Sequence, residues 1–224
     1  MSWQAKPSGA YALSSQEAKD NVNAYYNYFK TITNKENIVG MLCNVNEESG
    51  LNPWRWQGDT VNLSGGYGLF QYTEASAYIN LTGIPGHAPN MSTTSILGGN
   101  VSDAEAQIYV FINDLLGKWG TSCWRSYWDP LAHPILYAQR AHILSTYGDG
   151  SSLTMQQFFT IDNANDACFA FLACFEGPGS PDYTDRIANA GTIRDLIEDS
   201  PTPPGDLWLY GGIRDVLRRL IIHC

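Results

Sequence analysis

The chain has 224 residues, of which 44% are hydrophobic and 16% charged, and its formal net charge is −9. A chain of this length and apolar content can bury a sizeable core, which excludes a wholly disordered protein. The negative charge argues against nucleic acid as the main partner, because phosphate binding requires a basic face. No run of about 18 apolar residues occurs, so we expect no membrane span.

Apolar residues at helical spacing recur along most of the chain and predict a mainly α fold. A capping box at Thr33 and Glu36 marks the start of the second helix, and Gly50 occupies the left-handed position at its end. Residues 52–70 are rich in glycine and are predicted to form a loop, with short β-strands near 66–72. The predicted helices cover residues 15–29, 33–49, 75–81, 102–116, 135–147, 154–160, 164–175 and 183–198.

The predicted organisation is a single helical domain with a short segment at each end. The domain covers residues 16–198, an N-terminal extension covers 1–15, and residues 199–224 hold a Pro-rich linker and a terminal helix. In that terminal helix, five apolar residues lie opposite three arginines, which is the pattern of an amphipathic helix. We expect it to dock on its own domain or on another subunit.

The cysteines and histidines predict no metal site. Five cysteines form an odd set without Cys-x-x-Cys spacing, and the four histidines show no ligand-like spacing. The first 15 residues lack the apolar core of a secretory signal peptide. We therefore expect reduced, mostly buried thiols in a chain that is made in a cytoplasm and holds no metal or other cofactor.

Glu48 is the first candidate for chemistry. Its spacing from Leu42 and Val45 places it on or beside the apolar face of the second helix, in the last turn. A carboxyl group that is held against an apolar wall at a helix C-terminus is stabilised in its neutral form, as a general acid requires. Glu47 points about 100° away, toward solvent. The alternative is that Glu48 lies at a fraying helix end and has no catalytic role.

The loop after this helix carries residue types that suit a sugar ligand. Trp54, Tyr67 and Tyr72 offer flat apolar faces that match the C–H faces of sugar rings. Gly68 lets the backbone approach a ligand closely, and Gln71 can supply an amide to hydroxyl or acetamido groups. We expect these five residues to bind substrate. For any single aromatic residue, packing in the core is the alternative.

Short motifs in this region resemble those of a known enzyme superfamily. The segments ESGLNP at 48–53 and GYGLFQ at 66–71 are similar to the paired signatures of goose-type lysozymes and lytic transglycosylases. The closer resemblance is to the phage tail lysozyme family. It rests on IVGML-x-N-x-x-x-ES at 38–49, on G-x-GL-x-QYT at 66–73, and on a late FE-x-P at 175–178 with Arg186 beyond.

This resemblance implies a mainly α, lysozyme-like (α+β) fold in which a small Gly-rich β-turn region lines the cleft. It further implies cleavage of the β-1,4 link between N-acetylmuramic acid and N-acetylglucosamine. Glu48 matches the family's catalytic acid, and Glu176 in the late motif is expected to bind substrate. The family usually has arginine where this chain has Gly177. Arg186 either stands in for it or pairs structurally with Glu176 or Asp182.

A second carboxylate distinguishes two reactions. An inverting hydrolase needs a catalytic base about 6.5–9.5 Å from the acid, with a water between them. Asp59 is the first candidate for this base, and Glu74 is the second. Asp59 next to Gly58 is equally typical of a turn. A lytic transglycosylase needs no such base, because the muramic C6 hydroxyl attacks within the same molecule and yields an anhydro product.

The predicted function is that of a virion-associated muramidase of a tailed phage, made in the host bacterial cytoplasm and carried in the tail. Its predicted partners are the peptidoglycan glycan strand and other tail proteins, and it opens the wall locally during genome delivery. The net charge of −9 suits a tethered enzyme better than a freely diffusing one. The rival hypothesis is a catalytically silent glycan-binding or structural tail protein.

Overall fold

Helices account for most of the described chain. The structure, a computed structural model, describes residues 3–6, 9–75, 104–105, 107–108, 111–112, 134–176 and 183–198. The predicted mainly α fold is confirmed. The short strands expected near 66–72 are reduced to two isolated β-bridges, which pair Tyr67 with Trp56 and with Tyr72. The helices are α1 (Gln16–Phe29), α2 (Lys35–Ser49), α3 (Pro134–Thr146), α4 (Met155–Phe158), α5 (Ala164–Phe171), continued by a π-helical segment (Leu172–Glu176), α6 (Tyr183–Ala188) and α7 (Ala190–Leu196).

Helix α2 begins one residue later than the predicted capping box would place it. The Asn34 side chain accepts a hydrogen bond from the Asn37 backbone N–H at 2.9 Å and so caps the helix. The capping box predicted at Thr33 and Glu36 is therefore wrong, because Asn34 is the capping residue and Thr33 precedes it. The Thr33 side chain is instead turned to another segment, where its hydroxyl donates to the Phe159 carbonyl oxygen at 2.6 Å.

Helix α2 runs through the centre of the domain. All its residues from 37 to 45 are buried, and it packs chiefly against α5 and also against α1, α6 and α7. At Gly40 the absence of a side chain lets α5 approach closely. One turn later, the Asn44 side chain donates to the carbonyl oxygens of Gly40 and Cys168, both at 3.1 Å. These contacts fix α2 and hold its last turn in a defined position.

An aromatic cluster joins the π-helical segment to the Gly-rich turn, which is the segment 65–73. Phe175 of the π-helical segment meets the ring of Phe111 edge-on, with a centroid distance of 4.6 Å. Phe111 in turn stacks on Phe70 of the Gly-rich turn, also at 4.6 Å. It belongs to the helix predicted over 102–116, whose described residues are helical. The cluster thereby positions Glu176, which follows Phe175, relative to the Gly-rich turn.

The N-terminal residues pack on the helical domain. Trp3 and Tyr11 are buried, and the Tyr11 backbone N–H donates to the Gly50 carbonyl oxygen at 2.9 Å. The described part of the predicted extension, 1–15, therefore supports the end of α2. The predicted linker and terminal helix, 199–224, lie outside the described residues. Within the described ranges, no helix is long and apolar enough to cross a membrane.

The cysteines differ in part from the predicted reduced set. Cys43 on α2 and Cys168 on α5 are free and fully buried, as expected. A hydrogen bond with the Cys43 thiol, together with burial, raises the pKa of the Cys168 thiol well above its ordinary value. Cys174 is disulfide-bonded, which corrects the expectation of a reduced thiol at this position. The spacing of cysteines along a chain does not reveal which of them meet in the fold.

A bidentate ion pair between Arg194 and Glu36 joins α7 to the start of α2 and makes the stability of the folded state depend on pH. Arg194 donates from Nε and Nη2 to the two Glu36 oxygens, at 2.8 and 2.7 Å. This hydrogen bonding lowers the pKa of Glu36 below its ordinary value of 4.5. The stabilisation is therefore present above the unfolded-state pKa and is lost as pH falls through the folded-state pKa.

We expect Glu36→Gln to lower the free energy of unfolding at pH 7 by about 0.5 kcal/mol, a small value because both side chains are about one third exposed. Urea unfolding at pH 7 and in steps below pH 4.5 measures this. The difference between variant and wild type should shrink as Glu36 becomes protonated. A difference that is equal at every pH would contradict the assignment to the ion pair.

Candidate active site

Glu48 lies in the last turn of α2, where the helix meets the following loop. The helix ends at Gly50, whose φ of 56° is left-handed, and this confirms the predicted helix end. The Glu48 side chain is 20% exposed, whereas the neighbouring Glu47 is exposed to solvent. The two adjacent carboxylates therefore have different surroundings, as their spacing predicts.

The Glu48 side chain lines a polar cavity of about 370 Å³. Its wall combines the end of α2, the loop after it, the Gly-rich turn and the end of the π-helical segment. The volume falls within the range of small-molecule sites, and the mixture of carboxylate, amide and hydroxyl groups suits a ligand with many hydroxyl groups. The lining residues are Glu48, Arg55, Gln57, Gly58, Gln71, Thr73 and Glu176.

A buried glutamine holds the two loops of the cavity wall together. Gln107 accepts a hydrogen bond from the Leu69 backbone N–H at 2.6 Å and donates to the Pro53 carbonyl oxygen at 2.7 Å. Gly68 makes this contact sterically possible, since a Cβ atom there would lie 2.2 Å from the Gln107 side-chain oxygen. Its φ of 80° also requires glycine. Gly68 is therefore needed for the shape of the turn, and it does not itself line the cavity.

Gln71 lines the cavity and also braces its wall. Its Nε2 donates to the carbonyl oxygens of Gly68 and Arg55, at 3.0 and 3.2 Å. Its φ of 45° is uncommon for a residue other than glycine, so the surrounding contacts hold it in this conformation. Gln71 thus lines the cavity, where we expected a substrate-binding residue, while its amide N–H groups are hydrogen-bonded to the backbone.

The aromatic side chains of the loop are largely turned inward. Tyr67 is fully buried and packs on Trp56, with ring centroids 4.6 Å apart. Tyr72 is half-buried and meets Phe175 edge-on. Trp54 is partly buried, and none of the three predicted sugar-facing rings lines this cavity. The expectation of an exposed ring is corrected for Tyr67, because core packing removes its entire apolar surface from water.

Among the candidate carboxylates, Glu176 lies in the cavity and Asp59 does not. Asp59 accepts a hydrogen bond from the Gly9 backbone N–H at 2.8 Å, and its Oδ1 lies 3.6 Å from Arg55 Nε. It therefore anchors the loop to the N-terminal segment, contrary to the expectation that it faces the cleft. A local pattern such as Gly-Asp cannot reveal this contact, because Gly9 is 50 residues away.

Glu176 approaches helix α1 as well as the cavity. Burial raises the pKa of the Tyr25 hydroxyl well above its ordinary value, and the negative charge of Glu176 adds to this effect. Glu74, the second candidate base, is exposed and lies outside the cavity lining. Within the described residues, no group of three His, Cys, Asp or Glu side chains lies close enough to hold a metal ion.

Glu48 has an ion-pair partner that the sequence did not reveal. Arg186 on α6 places Nη2 2.6 Å from Glu48 Oε1, and its Nη1 donates to Asn44 Oδ1 at 3.2 Å. The expected pairing of Arg186 with Glu176 or Asp182 did not anticipate this contact, and Asp182 lies outside the described residues. The guanidinium and the carboxyl group form a short, charge-assisted hydrogen bond, which the apolar face of the helix alone did not predict.

A helical domain whose central helix carries a glutamate in its last turn, beside a Gly-rich turn, is typical of the lysozyme-like class. The chain belongs to the phage tail lysozyme family, whose model matches residues 20–197. The protein is therefore a lysozyme-like, peptidoglycan-degrading enzyme and a phage tail component.

Proposed function

We propose that the protein is a virion-associated muramidase that opens the cell wall locally during genome delivery. It cleaves the β-1,4 bond between N-acetylmuramic acid and N-acetylglucosamine, and Glu48 is the general acid that protonates the glycosidic oxygen. The observation that carries this proposal is the position of Glu48, which reaches the polar cavity from the rigid end of a buried helix.

In this proposal the second carboxylate is Glu176. It lines the same cavity as Glu48, whereas the carboxylate of Asp59 is engaged by Gly9 and lies near Arg55. A base in the cavity can activate a water for attack on the anomeric carbon, as an inverting hydrolase requires. Asp59, first considered for this role, acts in the proposal as a support of the loop.

The position of Asp59 also favours a second candidate, the lytic transglycosylase. If neither Asp59 nor Glu176 activates a water, the muramic C6 hydroxyl remains as the nucleophile. Glu48 would then act as acid and afterwards as base on that hydroxyl. The two reactions leave different sugars at the new chain end, so the product distinguishes them.

The test is digestion of purified peptidoglycan by wild type, Glu176→Gln and Asp59→Asn, with the fragments identified by mass spectrometry. We expect reducing N-acetylmuramic ends from wild type, a rate lowered about 100-fold in Glu176→Gln, and a rate within about threefold of wild type in Asp59→Asn. The matched Asp59 variant can still accept the Gly9 hydrogen bond through its amide oxygen.

Fragments lighter by one water would replace the hydrolase with the transglycosylase. A large loss in Asp59→Asn with none in Glu176→Gln would return the base to Asp59. No fragments from wild type, with peptidoglycan binding retained, would leave the silent tail protein as the function.

A further inference from the structure

We propose that Arg186 is a positioning residue for the acid-base reaction at Glu48. The proposal rests on Glu48 being the general acid, and it adds the group that fixes the orientation of this carboxyl and stabilises its charge. Arg186 is 6% exposed and reaches Glu48 from α6, an element that is 138 residues away in sequence. Arg186 does not line the cavity, so it acts through Glu48 and not on the sugar.

The orientation of Arg186 is determined by Asn44, one helical turn before Glu48. Asn44 Nδ2 donates to the backbone carbonyl oxygens of Gly40 on α2 and Cys168 on α5, both at 3.1 Å, and also to Cys168 Sγ at 3.4 Å. The amide nitrogen is thereby fixed, so the amide oxygen must point the other way, where it accepts from Arg186 Nη1 at 3.2 Å. Backbone atoms of two packed helices therefore set the position of the guanidinium before any substrate arrives.

The ion pair assigns separate tasks to the two oxygens of Glu48. Oε1 accepts from Arg186 Nη2 at 2.6 Å, which leaves Oε2 as the atom that carries the proton to the glycosidic oxygen. When the proton leaves, the carboxyl becomes a carboxylate, and a fixed cation beside it stabilises the charge that develops.

Two other charged side chains share the cavity with Glu48. Arg55 comes from the loop after α2, and Glu176 comes from the end of the π-helical segment. On the α5 side, Arg186 is near the Cys168 thiol, whose raised pKa keeps it neutral. Removal of Arg186 would leave Glu48 facing one negative and one positive neighbour, so the ionised form of Glu48 would lose its closest support.

The experiment measures kcat and KM on soluble glycan fragments at pH 7 for wild type, Arg186→Met and Arg186→Lys. In Arg186→Met we expect kcat to fall about 30-fold while KM stays within about twofold of wild type, because Arg186 orients the reacting carboxyl group and does not itself line the cavity. In Arg186→Lys the charge remains, and KM should again stay within about twofold of wild type. Its kcat should fall about 10-fold, since an ammonium cannot hold Glu48 and Asn44 together.

An Arg186→Met enzyme whose kcat is unchanged, or whose KM rises as much as its kcat falls, would overturn the proposal, because a residue that only supports the fold distorts the cavity and weakens substrate binding as well. If Arg186→Met fails to fold by circular dichroism, Arg186→Lys decides, and an unchanged kcat in it would overturn the proposal. Glu48→Gln runs alongside. Full activity in that variant would refute the role of Glu48 itself, which is a different failure from an unchanged kcat in Arg186→Met.

Discussion

Glu48→Gln is expected to lower kcat on peptidoglycan about 1000-fold while the protein remains folded. The amide has nearly the shape of the carboxyl group, and its oxygen can still accept a hydrogen bond from Arg186 Nη2. It cannot deliver a proton to the glycosidic oxygen, and a positioned general acid contributes factors of about 100 to 10,000. The rate of release of new sugar ends measures the loss, and thermal unfolding measures the fold.

Glu47→Gln is the matched control for this experiment. It removes the same charge from the same helical turn, but the side chain is exposed and lies outside the cavity. We expect its kcat to lie within about twofold of wild type. Equal losses in the two variants would mean that the charge of the helix end matters rather than proton transfer by Glu48. Retention of more than one tenth of the activity in Glu48→Gln would make another group the acid.

The features that the sequence predicted well depend on residues close together in the chain. The helix predicted over 15–29 is present as α1, and Gly50 ends α2, as local capping preferences indicate. The different surroundings of Glu47 and Glu48 follow from the 100° step of a helix. The motif at 66–73 contributes Gln71 and Thr73 to the wall of the cavity, and the φ of Gly68 shows why its sharp turn needs a glycine.

The features that could not be predicted from the sequence depend on tertiary contacts. The Thr33 side chain is turned to Phe159, 126 residues later, and Asn34 is the residue that caps α2. Glu48 likewise meets Arg186 only after α2 and α6 have packed. Tyr67 illustrates a second reason for a missed prediction. An aromatic residue beside a polar loop looks the same in the sequence whether its ring faces a sugar or the core. In the fold, the Tyr67 ring packs on Trp56 and is buried.

The crossing of α2 and α5 allows a second prediction with a large effect, at Gly40. A methyl group there would lie 2.6 Å from Ala167 Cβ and from the Cys168 backbone nitrogen, and 2.7 Å from the Ala164 carbonyl oxygen. Two of these three atoms belong to the backbone of α5, so they can move only if the helices separate. Separation would also stretch the hydrogen bonds from Asn44 that orient Arg186.

We expect Gly40→Ala to lower the free energy of unfolding by about 3 kcal/mol, since the cost of overpacking exceeds the gain of about 1 kcal/mol in helix propensity. Gly191→Ala is the control, because Gly191 also lies in a helix but has open space where the methyl group would be. That variant should be more stable by about 0.5 kcal/mol. Urea unfolding of both variants at pH 7 separates the two effects of an added methyl group. If Gly40→Ala were as stable as Gly191→Ala, α2 and α5 could not be in such close contact, and the rigid support proposed for Glu48 would be lost with it.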